Sequence, residues 1–263
     1  MAPVFMRIAS LSPAVTEILF ALGVGKQIVC TDQFSNFPEE VKAIPHVRDM
    51  VKIDPEDIRP FAPDVVFLGT SIQTKLAEAL RAAEFSVVHD DPRSLADIYA
   101  WMMSIGAIVD REVQAKALVL AMQKGFREVE KKAKAMYAGR DVPLARLYIE
   151  EWHAPPFASG NWVPEIARIA GGEQFPVASG ALSPEVTLDQ VAEWNPDLLV
   201  ISWCGAGALA SKELLLHRPG WDRLRAVQQG NVKVIDDSLL NRPGPRLVEG
   251  AQRLYGWIFE MLH

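Results

Sequence analysis

The chain alternates short apolar runs with longer segments of mixed apolar and polar residues. The short runs predict strands at Arg7–Leu11, Gln27–Thr31, Val65–Leu68 and Ser86–His89, and again at Arg146–Glu150, Leu198–Ser202 and Asn231–Ile235. Helical periodicity lies between them, at residues 12–22, 74–83 and 161–170. Strands and helices in alternation predict an α/β fold with parallel sheets covered by helices.

One segment breaks this alternation. Residues 110–138 contain no proline and mix apolar residues with Lys, Arg, Glu and Gln, which predicts a single long helix. At 1.5 Å per residue, about 29 residues span roughly 43 Å, enough to join two domains. We therefore expect an amino-terminal α/β lobe at 1–109, a linking helix at 110–138 and a carboxyl-terminal α/β lobe at 139–263.

A sequence motif occurs in both predicted lobes. An acidic residue, Glu56 or Asp189, stands seven positions before a Pro-Asp pair, and a strand-like run follows that pair directly. The two copies are about half a chain length apart, which favours two similar lobes over a solenoid of short repeats. Two lobes predict a cleft between them, and a cleft predicts a ligand.

Composition excludes several classes of protein. The 263 residues carry a net charge of −6, and the basic residues are scattered, so we expect no nucleic-acid partner. No apolar run is long enough to cross a bilayer, so we expect no membrane insertion. The two cysteines, Cys30 and Cys204, fall in different lobes, which argues against a disulfide framework. We expect a monomer.

The first six residues lead directly into the first predicted strand and show no secretory signal. As the sequence stands, we expect a cytoplasmic location. If an export signal was removed, the expected location is periplasmic or extracytoplasmic.

Ligands of parallel α/β sheets bind beyond the carboxyl ends of strands, and three loops in those positions are unusual. Residues 150–162 concentrate aromatics, a histidine and prolines; residues 202–207 begin Ser-Trp-Cys-Gly; residues 236–246 carry two prolines and Arg242. The first lobe offers Ser10, Ser12, Asp32, Phe34, Phe37 and Met50 in equivalent positions. The predicted site is broad, aromatic and lightly charged.

Three segments resemble one family. They are residues 7–23, the Pro-Pro-Phe-x-x-Gly loop at 155–160 with Gly171-Gly172 after it, and Asn-Arg-Pro-Gly-Pro-Arg-Leu-Val-Glu-Gly at 241–250. They resemble the substrate-binding proteins of vitamin B12 and iron-siderophore ABC importers, most closely the cobalamin-binding branch. The resemblance implies two Rossmann-like lobes with parallel sheets joined by one backbone helix. It also implies a corrinoid, siderophore or haem held between the lobes as ligand, with no intrinsic cofactor.

The resemblance also implies roles for particular residues. Glu56 and Asp189 match the acidic positions that dock an ABC permease, Phe37 and Phe157 match pocket aromatics, and Arg242 matches a polar contact at the ligand's rim. Met50, Gly69 and Ser183 stand where the best-studied cobalamin binders have tryptophans, so Trp152, Trp162 and Trp203 are expected to fill that space. The full predicted ligand set is Ser12, Phe34, Phe37, Met50, Trp152, His153, Phe157, Trp162, Trp203 and Arg242.

Other interpretations stay open at this stage. His153 is either a surface residue or the axial ligand of a bound cobalt or iron. Glu56 and Asp189 also fit helix-capping segments. An enzyme would need Cys204 as nucleophile, His153 as base and Asp236 or Asp237 as orienting group, but no catalytic motif surrounds them and no catalytic residue is assigned.

The sequence thus predicts a non-catalytic protein that binds a corrinoid and delivers it to a permease. The alternatives are a binder of haem or a ferric siderophore, and a cytosolic carrier of a corrinoid or metal cofactor.

Overall fold

A computed structural model describes residues 6–263. Residues 1–5, which belong to the segment examined for an export signal, lie outside the described part. The chain divides into two compact units. The amino-terminal unit holds the chain up to Pro92 together with Ala96–Leu120, and the carboxyl-terminal unit holds Arg93–Leu95 and Ala121–His263.

The amino-terminal unit is built on a five-stranded parallel sheet in the order β3-β2-β1-β4-β5. Its strands are β1 (Ile8–Ser10), β2 (Ile28–Asp32), β3 (His46–Val47), β4 (Val65–Gly69) and β5 (Val87–Asp90), and its helices are α1 (Pro13–Ala21), α2 (Pro55–Ile58), α3 (Thr74–Ala82) and α4 (Leu95–Ile108). Strands β1 and β4 are buried along their whole length, as expected of central strands in a parallel sheet.

Helix α4 was not predicted from the sequence. Its residues are apolar nearly all the way round, so they give no amphipathic stripe. In the structure one face is buried, with Trp101, Met102 and Ile105 at most 4% exposed, while small residues such as Ala100 and Ala107 lie on the exposed face.

The carboxyl-terminal unit has a second five-stranded sheet in the order β10-β9-β6-β7, with β8 also paired to β6. Its elements are β6 (Ala145–His153), β7 (Pro156–Ala158), α6 (Val163–Ile169), β8 (Gly172–Gln174), α7 (Leu188–Trp194), β9 (Leu198–Ile201), α8 (Lys212–Leu216), α9 (Arg225–Gln228), β10 (Val232–Val234) and α10 (Leu247–Leu262). Strands β8, β9 and β10 join this sheet in parallel.

Strand β7 adds one antiparallel pair to the predicted parallel arrangement. The chain after β6 was predicted to be a loop, but it folds back and pairs with β6 in the antiparallel direction. On its outer side β7 makes one isolated antiparallel bridge, between Phe157 and Glu185, where Pro156 accepts the Val186 N–H and has no N–H of its own to donate.

The predicted long helix is present as α5 (Glu112–Tyr137). At 1.5 Å per residue it is about 39 Å long. It begins in the amino-terminal unit and ends in the carboxyl-terminal unit. One stripe of the helix is buried: Ala115, Val119, Met122, Phe126, Val129, Ala133 and Met136. The α/β fold class with a long helix is confirmed, while the domain boundaries drawn from the sequence remain a prediction.

The repeated Pro-Asp motif forms the same hydrogen-bonded structure in both units. Asp64 accepts from the N–H of Arg7 at 2.7 Å and returns its own N–H to the Arg7 carbonyl at 2.8 Å. Asp197 does the same with Arg146, at 2.8 Å in both directions. We call each pair an Arg–Asp clamp. It fixes the start of one strand, β1 or β6, beside the start of the next, β4 or β9.

No helix in the described residues is long and apolar enough to cross a membrane.

Candidate ligand-binding site

The carboxyl end of β6 and the returning strand β7 form a hairpin rich in aromatic residues. Trp152 lies directly opposite Phe157 across the two strands. Residues in such register have neighbouring side chains on one face of the sheet. Trp152 is 42% exposed and Phe157 is half-buried, so this face is open to solvent. We call the segment 150–158 the aromatic hairpin.

His153 is enclosed by aromatic rings. Its imidazole lies 4.7 Å from the ring of Trp203 and 5.3 Å from that of Trp152, centre to centre. Its Nδ1 atom is buried and has no hydrogen-bond partner among the described residues. A histidine that binds a metal usually donates its other ring N–H to a nearby acceptor, so Nδ1 lacks that support here. The role of His153 as an axial ligand remains a prediction.

The aromatic hairpin is anchored from inside by a buried carboxylate. Glu150 is fully buried, and both of its oxygens accept hydrogen bonds at 2.8 Å from the guanidinium of Arg218. The Tyr148 hydroxyl donates at 2.9 Å and the Trp203 indole at 2.8 Å. A buried carboxylate is costly unless its lone pairs are satisfied in this way.

Arg218 ties this anchor to the hairpin. It donates to the carbonyl of His153 at 3.2 Å, and its guanidinium lies 4.1 Å from the centre of the Trp221 ring. Burial raises the pKa of the Tyr148 hydroxyl well above its usual range, with the neighbouring Glu150 charge as the next cause. The tyrosine therefore stays a neutral donor. Sequence reasoning missed both Glu150 and Arg218.

Glu150 could have been noticed from the sequence, because the acidic pair Glu150-Glu151 directly follows an apolar strand. Arg218 could not, because its segment has no distinguishing pattern.

Two tryptophans predicted to touch ligand are buried instead. Trp162 and Trp203 are each 3% exposed. The indole N–H of Trp162 donates to the Leu240 carbonyl at 2.7 Å. In the carboxyl-terminal unit these two side chains support the site loops. Direct ligand contact by either one remains a prediction.

A polar cluster lies at the carboxyl end of β6. It consists of Glu151, Ser183, Cys204, Asp237 and Asn241, from the ends of β6 and β9 and the loops near them. Glu151 accepts a short hydrogen bond from Ser183 and a longer one from the Cys204 thiol at 3.9 Å. Asn241 donates to Cys204 Sγ at 3.2 Å. Arg242 follows Asn241 directly and is half-buried.

Both titratable groups at the centre of this cluster have raised pKa values. Burial raises the pKa of the Glu151 carboxyl, and the hydrogen bonds from Ser183 and Cys204 oppose that rise. Partial burial of its sulfur raises the pKa of the Cys204 thiol to about 12, and the charges of Glu151 and Asp237 add to the effect, while the residue keeps part of its surface exposed. A thiol with so high a pKa is a poor nucleophile at neutral pH, which argues against the hydrolase interpretation.

In the amino-terminal unit, the predicted aromatics lie on the loop after β2. Phe34 and Phe37 are 40% and 44% exposed. The loop is held by Asp32, which is fully buried and accepts from the Phe34 N–H at 2.7 Å and the Ser35 hydroxyl at 2.6 Å. Thr16 continues this network to Ser35 at 2.9 Å and to Ser10 at 2.8 Å.

The other two predicted residues of that unit are less available. Ser12 is 3% exposed, and Met50 is half-buried with its carbonyl accepting from Gln73 at 2.7 Å. The described residues contain no group of three or more His, Cys, Asp or Glu side chains arranged to hold a metal ion.

The two proposed docking acids are exposed on short helices that carry the predicted caps. Asp54 caps α2, and Thr187 forms a capping box with Gln190 on α7. Glu56 pairs with Arg59 at 2.8 Å, and Asp189 pairs with Arg223 at 2.6 Å. Capping of both helices is confirmed, and docking by the two acids remains a prediction.

Comparison with known proteins decides the family. A model described as periplasmic binding protein matches residues 8–239. The chain belongs to the periplasmic binding protein family. An uncharacterised ABC transporter substrate-binding lipoprotein of Bacillus subtilis is 28% identical over 94% of this chain and 78% of its own length. A vitamin B12-binding protein of Vibrio vulnificus is 25% identical over 94% of this chain and 88% of its own length.

Solved structures share the fold. A periplasmic heme-binding protein from Pseudomonas aeruginosa superposes with a TM-score of 0.86 at 21% identity, over 97% of this chain and 93% of that one. The vitamin B12-binding protein of Vibrio cholerae gives 0.75 at 20% identity, over 97% of each chain. The family resemblance is thereby confirmed, and membership of a binding-protein family confirms that the chain is a binder and not an enzyme.

Proposed function

We propose that this chain is the substrate-binding protein of an ABC-type importer and that its ligand is a corrinoid. The family assignment supports the first part. Relatives over nearly the full chain are named vitamin B12-binding proteins, which supports the second.

The observation that carries the proposal is the aromatic hairpin. Trp152 lies opposite Phe157 on the short antiparallel strands β6 and β7, and the buried pair of Glu150 and Arg218 anchors the hairpin. A flat macrocycle gains affinity from burial against such faces at roughly 25 cal/mol per Å² of apolar area. In this proposal Arg242 and Ser183 orient polar edges of the ligand: Ser183 is hydrogen-bonded to Glu151 of the hairpin, and Arg242 directly follows Asn241 of the polar cluster.

Phe34 and Phe37, on the loop after β2, stay predicted ligand contacts of the amino-terminal unit. Phe34 is 40% exposed and Phe37 is 44% exposed. The buried Asp32 carboxylate holds their loop through the Phe34 N–H and the Ser35 hydroxyl.

Haem or a ferric siderophore is the second candidate. His153 favours it because imidazole is a common ligand of iron. The unpartnered Nδ1 weakens this candidate, because an axial histidine normally has a hydrogen-bond acceptor behind it.

Glu56 and Asp189 are the proposed contacts to a permease. They are exposed carboxylates at corresponding places in the two units, and arginine-lined surfaces bind such groups well. We propose an extracytoplasmic location, which follows the family description, over the cytosolic carrier. Replacing both acids with alanine should abolish uptake of corrinoid by cells while leaving ligand affinity unchanged. Full uptake by that variant would favour the cytosolic alternative.

The deciding experiment is a titration of ligand-free protein with cobinamide, cobalamin, haem and a ferric hydroxamate siderophore. Tryptophan quenching and the visible spectrum of the ligand report binding. Saturable one-to-one uptake of a corrinoid at micromolar or tighter affinity supports the proposal. Uptake of haem alone, with a spectral shift lost in His153→Ala, would replace it with the second candidate.

A pair of phenylalanine variants locates the site. Phe157→Ala should weaken corrinoid binding and leave folding intact, because Phe157 is half-buried on an edge strand. Phe259→Ala is the matched control, since Phe259 is 42% exposed on α10. Equal affinities in the two variants would remove Phe157 from the site.

A further inference from the structure

The polar cluster beside the aromatic hairpin has an unusual balance of charge. Its two carboxylates, Glu151 and Asp237, lie near the same thiol, and the neutral members are Ser183, Cys204 and Asn241. The donors of Asn241 are already used, by Cys204 at 3.2 Å and by the Ser202 carbonyl at 2.6 Å. The cluster therefore presents mainly acceptors to an incoming molecule.

Glu151 and Asp237 differ in how fully they are used. Asp237 accepts from the backbone N–H groups of Gly205 at 3.0 Å and Gly207 at 2.8 Å, so its role is to shape the loop after β9. Glu151 is half-buried, and its partners are the Ser183 hydroxyl, the Cys204 thiol and the N–H of Gly160. None of these partners is cationic. A carboxylate in that position is open to a neutral N–H donor and unfavourable to a second anion.

We propose that Glu151 selects ligands whose edge beside β6 carries neutral amides and rejects those that carry carboxylates there. This inference rests on the proposed corrinoid function and adds the chemical class that the site accepts. A carboxamide N–H can donate to a free lone pair of Glu151. A peripheral carboxylate would face the Glu151 charge, and because Glu151 is half-buried, solvent would screen the repulsion only in part.

The geometry of β6 supports a role for Glu151 at the ligand. It lies between Glu150, which points into the core, and Trp152, which is 42% exposed. Its carboxyl group is held in position by residues from two other loops, at Ser183 and Cys204. Because Glu151 directly precedes Trp152 in the chain, we expect its fixed charge to lie beside a macrocycle stacked on Trp152.

The test compares two corrinoids with the same ring. Cobinamide carries neutral amide side chains, and cobyrinic acid carries carboxylic acids in their place. Both are titrated as dicyano forms at pH 8 with intact protein. Wild-type protein should bind cobinamide about tenfold or more tightly than cobyrinic acid, the size of effect that one unfavourable close charge pair produces. Glu151→Gln should reduce that ratio at least threefold.

Two variants control for folding and for net charge. Glu151→Asp keeps the carboxylate and should keep the wild-type ratio, with circular dichroism as the check on folding. Glu173→Gln removes one negative charge at the opposite end of β6, where Glu173 pairs in register with Arg146, and should also keep the ratio.

The outcomes separate the inference from the function it rests on. Equal affinity of wild-type protein for the two corrinoids would overturn the role of Glu151 and leave corrinoid binding established. An unchanged ratio in Glu151→Gln would overturn it too, and would place the discrimination elsewhere. Failure to bind either corrinoid, with uptake of haem or a siderophore instead, would overturn the proposed function together with the inference.

Discussion

The two units share their strand starts and differ at their strand ends. At the amino ends of the strands, Arg7 with Asp64 and Arg146 with Asp197 form clamps whose four backbone-linked hydrogen bonds agree within 0.1 Å. The residue before each Pro-Asp pair, Ala62 or Asn195, has positive φ, at 41° and 50°.

At the carboxyl ends the units use different chemistry for the same task. In the amino-terminal unit, Asp32 holds the Phe34 loop through hydroxyl and backbone donors. In the carboxyl-terminal unit, Glu150 holds the aromatic hairpin through Arg218 and an indole. The same hydrogen-bonded clamp can set the sheet register in both units, whereas the loops at the strand ends need a different shape in each unit to form a ligand surface.

The largest effect should come from breaking the charged anchor. Arg218→Met leaves Glu150 buried without its cation, which should lower the free energy of unfolding by about 3–5 kcal/mol. Urea unfolding followed by circular dichroism measures this. The double variant with Glu150→Gln should recover part of the loss. A single variant within about 0.5 kcal/mol of wild type would show that the anchor is dispensable.

The clamps should respond alike. Asp64→Ala and Asp197→Ala each remove a carboxylate that accepts a backbone N–H, which should cost about 1.5–3 kcal/mol in either unit, with Asp197→Ala toward the upper end because it also breaks the ion pair with Arg225. Asp141→Ala, at an exposed loop position, is the control and should change little. Thermal unfolding of the three variants gives the comparison. A large loss in one unit with none in the other would mean that the clamps are equivalent in geometry alone.

The helix caps before the clamps offer a finer comparison. Asp54→Ala removes the acceptor of the Glu56 N–H at 3.0 Å, and Thr187→Ala removes the acceptor of the Gln190 N–H at 3.3 Å. Each should lower the free energy of unfolding by about 1 kcal/mol, since both residues are N-caps. Thermal unfolding with Thr187→Ser as a conservative control checks this. Alanine variants as stable as wild type would contradict the capping role.

The smallest effect concerns the pH dependence of Glu151. Its pKa is raised in the folded protein, so between its ordinary value and the raised one the folded state holds the proton that the unfolded state has lost. Stability due to this group therefore falls as pH rises through that window. As pH rises from 4 to 7, the melting temperature of Glu151→Gln should increase relative to that of the wild-type protein. A difference that stays constant over this range would mean that the carboxyl titrates normally.

Sequence predicts most of the fold because central strands are short apolar runs and caps use particular residues. Strand β4 and the capping box at Thr187 follow directly from such patterns. Helix α4 was not predicted because its residues are apolar on all sides and show no helical hydrophobic periodicity. Strand β7 was not predicted because the prolines at 155 and 156 indicate a loop.

The site is harder to predict than the fold. Its aromatics were visible in the loops, but the burial of Trp162 and Trp203 depends on packing from several segments. Arg218 reaches Glu150 across 68 residues of chain, and local sequence carries no signal for such a pair.

Each Arg–Asp clamp joins residues of a single unit, so the amides of a clamp report on the local opening of that unit. The amides of Arg7 and Asp64 can exchange with solvent deuterium only when the amino-terminal clamp opens, and those of Arg146 and Asp197 only when the carboxyl-terminal clamp does. The exchange rates of these two pairs of amides, read from one spectrum, thus report local opening separately for each half of the chain.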